Sequence, residues 1–143
     1  SSISWTPDAG ALILGGQVDG DGQTESGIIL RLSFGGPGMT GGASITEVAP
    51  GRYPAVSPDG ERIAVVDELS GKSDMVLLDM SGREMERFPR PAGRGLSRPQ
   101  WSAEGRYLYF YSLASTGPLG LVDITMLRCL DTRTRQVFDL ERL

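Results

Sequence analysis

The sequence predicts an all-β chain built from three copies of one antiparallel unit. A short turn signature recurs as Trp5-Thr6-Pro7-Asp8-Ala9-Gly10, Val56-Ser57-Pro58-Asp59-Gly60 and Trp101-Ser102-Ala103-Glu104-Gly105. The copies lie roughly 45–51 residues apart, a period typical of repeat architectures. Each is followed at once by a short apolar run: Ala11 to Leu14, Ile63 to Val66, and Tyr107 to Tyr111. Composition agrees: 20 glycines and 9 prolines in 143 residues supply many turns, and 39% hydrophobic residues allow a buried core.

The signature has a mechanical reading. In the second copy Pro58 presets φ for the first central turn position, Asp59 bonds to nearby backbone, and Gly60 supplies the positive φ that closes a hairpin. The first copy reads as one residue longer, with Ala9 inserted before the closing Gly10. The third has Ala103 for proline and Glu104 for aspartate but keeps Gly105. A large apolar residue (Trp5, Val56 or Trp101) precedes each turn and is expected to pack against the neighbouring unit.

A bulky residue, Ser-Pro-Asp-Gly and then a strand such as Ile63-Ala64-Val65-Val66 together resemble the WD40-like β-propeller repeat of the TolB type. The same repeat occurs in propellers of prolyl-oligopeptidase-like enzymes and in sensory domains of some bacterial regulators. The resemblance implies a β-propeller-like fold of three four-stranded antiparallel blades, as a partial ring or half of a larger propeller. The blades fall at about 1–50, 51–95 and 96–143. Threaded on that plan, the second blade runs through Tyr53-Val56, Arg62-Val66, Met75-Asp79 and Glu84-Phe88. The third takes Arg98-Trp101, Tyr107-Tyr111, Thr125-Leu130 and Gln136-Leu140. The first takes Ile3-Trp5, Ala11-Leu14, Gly27-Ser33 and Ile45-Val48, with long inserts at 15–26 and 34–44.

Three blades fall short of the four to eight with which propellers close. Open blade faces and strand edges invite pairing. The expectation is a segment of a larger chain, or faces covered by another protein chain or by a second copy of this one. The start, Ser-Ser without methionine, reads as a processed or trimmed end. An extracytoplasmic, periplasmic location follows from the TolB-type resemblance.

Net charge is −4 at pH 7, which disfavours nucleic acid as a general partner. No run approaches the ~18 apolar residues of a membrane span. Charge is uneven, the first half being acidic and the second nearly balanced. Arg87, Arg90, Arg94 and Arg98 cluster around the Pro/Gly-rich connection at 88–95. Their guanidinium forks suit carboxylate or phosphate, making them the candidate partner-binding patch, against the plainer reading of a solvated loop. The acidic loop from Val18 to Glu25 has alternating oxygen ligands, but Gln17 stands at the first ligand position and the terminal glutamate is out of register for an EF-hand. The Gly-rich stretch at 35–42 lacks the Gly-Lys-Ser/Thr of a phosphate loop. No metal or cofactor is implied.

Catalysis is disfavoured. The chain has no histidine, so neither a Ser-His-Asp nor a Cys-His site is available within it. Gly71-Lys72-Ser73-Asp74-Met75 breaks the nucleophile-elbow pattern at its last position. The single cysteine, Cys129, excludes an internal disulfide and is expected to be buried as a small hydrophobe. Tyr107, Tyr109 and Tyr111 share one face of a strand by period two and read as an aromatic blade core, with Leu108 and Phe110 opposite. Three functions fit: a non-catalytic protein-interaction or scaffold module, the gating propeller of an oligopeptidase-like serine hydrolase, or the sensory domain of a regulator or receptor.

Overall fold

The computed structural model describes residues 2–17, 27–34, 42–69, 72–89, 94–116, 118–120 and 122–142. Among the described residues, twelve strands form three antiparallel sheets of four, each a meander in chain order. The first sheet holds β1 (Ser2–Trp5), β2 (Ala11–Gln17), β3 (Gly27–Phe34) and β4 (Ala43–Pro50). The second holds β5 (Arg52–Val56), β6 (Arg62–Leu69), β7 (Lys72–Asp79) and β8 (Glu84–Pro89). The third holds β9 (Arg94–Trp101), β10 (Tyr107–Thr116), β11 (Val122–Asp131) and β12 (Val137–Arg142). The second strand of each sheet outruns its apolar motif, so part of the expected first insert is ladder: Gly15 pairs with Ile29 and Gln17 with Gly27. The remainder of both inserts, residues 18–26 and 35–41, lies outside the described residues.

The turn signature closes each sheet's first hairpin with a hydrogen-bond set that repeats three times. Backbone N–H groups of Thr6, Ser57 and Ser102 donate to the carbonyls of Ala11, Arg62 and Tyr107 at 3.0, 2.9 and 2.9 Å. The hydroxyls of the same residues accept in return from the N–H groups of Ala11, Arg62 and Tyr107 at 3.0, 3.0 and 3.1 Å. The hydroxyl residue, not only the proline and glycine, therefore holds the turn. A further bond reaches the carbonyls of Thr6, Ser57 and Ser102 from Ala9, Gly60 and Gly105.

That last bond corrects the reading of the first turn. All three turns have the same length. Ala9 occupies the place of Gly60 and Gly105, and Gly10 stands where Glu61 and Arg106 stand. Gly60 and Gly105 take φ of 75° and 73°, and Ala9 is held at 55°. A β-carbon in that left-handed region costs about 1–2 kcal/mol.

The sheets stack face to face, and two apolar seams result. Ile13, Ile29 and Ala49 of the first sheet meet Ile63, Val65, Val76 and Leu78 of the second. On its other face the second sheet offers Ala64, Val66, Met75, Leu77 and Phe88 to Leu96, Leu108, Phe110 and Leu130 of the third. Each fully buried large side chain contributes about 1.5–3 kcal/mol relative to exposure. One approach is closer still: a β-carbon on Gly82, at φ 93°, would lie 2.1 Å from the Val48 carbonyl oxygen, so only glycine fits.

The tyrosines of β10 are not the blade core. Leu108 and Phe110 are buried against the second sheet, whereas Tyr109 is 37% exposed. Tyr107 and Tyr111 share its face, which points away from the stack. Cys129, paired with Tyr109, is buried on that side among its neighbours, and burial pushes its thiol pKa up.

Candidate interaction surface

Because the chain meanders outward through each sheet, β1, β5 and β9 come to lie side by side along one edge of the stack. They line a cleft of about 540 Å³ walled by Trp5, Pro7, Pro54, Arg98, Pro99 and Trp101. Tyr53 and Arg98, each directly before a proline, take φ of 53° and 52°. A residue before proline is already restricted, and a left-handed one stores on the order of 1–3 kcal/mol. The ladder pairing of β5 with β6 slips at this point, between Arg52 and Ala55. Trp101 is fixed by donation from its indole Nε1 to the Ala55 carbonyl at 2.9 Å, and the Arg62 guanidinium lies 4.5 Å from its ring centroid. Trp5, at the corresponding place in the first sheet, is 55% exposed and stacks on Phe34 at 6.0 Å.

The two outermost faces of the stack form a second surface. On the first sheet, Trp5, Leu12, Leu14, Leu30, Leu32 and Ile45 point away from the second. On the third, Tyr107, Tyr109, Tyr111 and Leu127 do the same. The three turns put the repeats in register, so Leu12, Leu14 and Leu32 match Ile63, Val65 and Leu78 of the second sheet and Leu108, Phe110 and Leu130 of the third. The last six are buried; the three leucines are partly exposed.

Of the four arginines of the expected patch, the structure describes the side-chain surroundings of Arg87 and Arg98. Arg87, on the outermost strand of the second sheet, donates to Asp67 at 3.0 Å, Asp74 at 2.8 Å and Glu84 at 2.6 Å. Glu84 foremost, then Asp74 and Asp67, drive its pKa upward. Arg90 lies outside the described residues, and Arg94 opens β9. Arg98 is exposed on the inner-strand cleft, at the opposite edge of its sheet from β12. Pairing of Arg87 with acids from β6 and β7 is a matter of strand register, which sequence spacing does not display.

Serine and carboxylate pairs abound but serve the turns. Asp59 accepts from the Ser57 hydroxyl and from the Glu61 N–H, and Asp8 repeats this with Thr6 and Gly10. Those hydroxyl bonds, then the backbone ones, hold both carboxyls below their ordinary range. A carboxylate held ionised in this way is a poor proton acceptor.

No protein-family model matches the sequence, and no curated protein matches it. Solved structures do match its fold. TolB from Acinetobacter baumannii superposes with a TM-score of 0.67 at 21% identity, over 98% of this chain and 31% of that one. The β-propeller domain of the Trilobed protease from Pyrococcus furiosus gives 0.60 at 14% identity, over 100% and 41%. An acylaminoacyl peptidase from Pyrococcus horikoshii gives 0.59 at 13%, over 93% and 24%. The three sheets are propeller blades. The chain spans between a quarter and two fifths of the length of these structures, and within it the sheets do not close into a ring. The resemblance drawn from the turn motif and the likeness of the folds agree on architecture.

Proposed function

We propose that this chain is a non-catalytic interaction module of propeller type that presents its end faces and inner-strand cleft to another polypeptide. The observation that carries the reading is the apolar outer face of the first sheet. Its Leu12, Leu14 and Leu32 sit at positions buried in both other sheets, yet here they are partly exposed. A large exposed apolar patch marks an interaction site. Arg98, one of the four candidate arginines, adds charge to the cleft between Trp5 and Trp101. An extracytoplasmic setting belongs to the same reading and is supported by the TolB likeness. A second reading, the propeller portion of a peptidase, is favoured by the likeness to the Trilobed protease and acylaminoacyl peptidase structures. It places the hydrolytic residues outside this chain.

The test is the double variant Leu14→Asp/Leu30→Asp, compared with wild type, at a dilution that keeps the chain monomeric, for circular dichroism and binding of an apolar fluorescent dye. A folded chain with much weaker dye binding is the expected result. Loss of the fold would show that this face is core and would sink the proposal.

A further inference from the structure

The two internal seams use the same residue positions, and this repetition specifies what fits the bare ends. Pro7 Cδ lies 3.2 Å from where a β-carbon on Gly60 would be, and Pro58 Cδ lies 3.7 Å from one on Gly105. Each sheet thus seats the proline of its turn on the glycine of the next. Across the second seam Trp101 Nε1 reaches back to the Ala55 carbonyl, Arg62 covers the Trp101 ring, and Arg62 Nη2 donates to the Gly105 carbonyl at 2.6 Å.

Consider the same seam made by a third sheet followed by a first sheet. The proline position is now Ala103 and the glycine position is Ala9. One side loses a ring while the other gains a methyl, so the two departures from the motif offset each other at one contact. Volume-conserving exchanges of this kind are tolerated best. Trp5 stands in the place of Trp101, with the carbonyl of Gln100 in the place of the Ala55 carbonyl. Tyr107 stands where Arg62 does, over that indole. Leu12, Leu14 and Leu32 come to face Tyr109, Tyr111 and Leu127.

We infer that the polypeptide covering the first sheet is the third sheet of a second copy of this chain, joined head to tail. The contact is heterologous, and two copies that repeat it reciprocally form a closed pair with six blades, within the usual range for propellers. The inference rests on the interaction-module reading and adds the identity of the partner.

The experiment measures mass by light scattering over a concentration series, for wild type, Trp5→Ala and the double variant Ala9→Cys/Ala103→Cys under oxidation. The wild type should be a dimer. Trp5→Ala should raise the dissociation constant about ten-fold or more with circular dichroism unchanged. The double variant should yield a covalent dimer while neither single cysteine variant does; the native Cys129 is buried and does not compete. A monomer at every concentration, a dimer indifferent to Trp5→Ala, or cross-linking by one cysteine alone would each overturn the head-to-tail pair. Should the cysteine variant fail to fold, the wild-type mass and its response to Trp5→Ala decide the matter. A folded monomer would leave the module reading standing with a different partner, whereas that reading itself fails only if the aspartate variants unfold.

Discussion

In the middle sheet Ile63, Ala64, Val65 and Val66 are all fully buried, whereas in the first sheet the matching run Leu12, Ile13, Leu14 and Gly15 leaves both leucines partly exposed. Both runs are continuously apolar, the pattern of a strand covered on two faces rather than the alternation of a half-solvated one. The middle strand has two neighbours and meets that description. The first strand is written for two neighbours and has one. The third sheet differs again: it buries Leu108 and Phe110 inward and turns a row of tyrosines outward, aromatic bodies with hydroxyls that tolerate water. The internal seams are thus apolar on both sides, while the two ends differ from each other in chemistry.

The comparison breaks first under truncation. Phe110→Ala, in the second seam, should lower stability by about 3–5 kcal/mol in urea unfolding. Leu14→Ala, on the bare face, should cost far less in the dissociated chain. Equal losses would mean that the outer face is already covered in solution. Acid should separate the seams from the turns by a smaller margin. Asp131 accepts from Arg106 at 2.6 Å and from the Arg133 N–H at 2.9 Å, and these partners hold its carboxyl well below its ordinary value. A lowered carboxyl contributes stability fully above its unfolded value and loses it as pH falls toward the folded one. Below about pH 4 the hairpin around Asp131 should therefore lose amide protection before Ile63 to Val66, whose side chains are apolar and fully buried. Hydrogen exchange across that range reads the order directly, and simultaneous loss would contradict it. The smallest effect is a gain. Ala9→Gly relieves a left-handed alanine and should stabilise the isolated chain by up to about 1 kcal/mol, visible as a higher urea midpoint. Because Ala9 also lies at the inferred copy-to-copy contact, the same change should not strengthen the dimer.

Much of the architecture was legible because it is local. Turn chemistry and short apolar runs placed the second strand of each sheet, the TolB-type resemblance supplied the plan for the others, and the period of two identified which side chains share a face. Local signals also misled in two places. Gly10 looked like the closing glycine because glycine is the usual left-handed residue, yet the hydrogen-bond register assigns that place to Ala9. The tyrosines looked like core because aromatics usually are, and period two does not say which face meets a neighbour. Of the arginines grouped by their spacing, Arg87 is engaged by acids from two other strands and Arg98 lies on the inner edge.

By itself the sequence determined the unit: its turn signature, the apolar run that follows each turn and its three-fold repetition. Those follow from backbone preferences and alternation, which act over a few residues. Tertiary structure alone decided which faces are buried, that Trp101 is bonded while Trp5 stands open, and that the inner strands converge on a cleft. These depend on stacking one sheet on the next, and the free energy of stacking comes from surfaces brought together across dozens of residues.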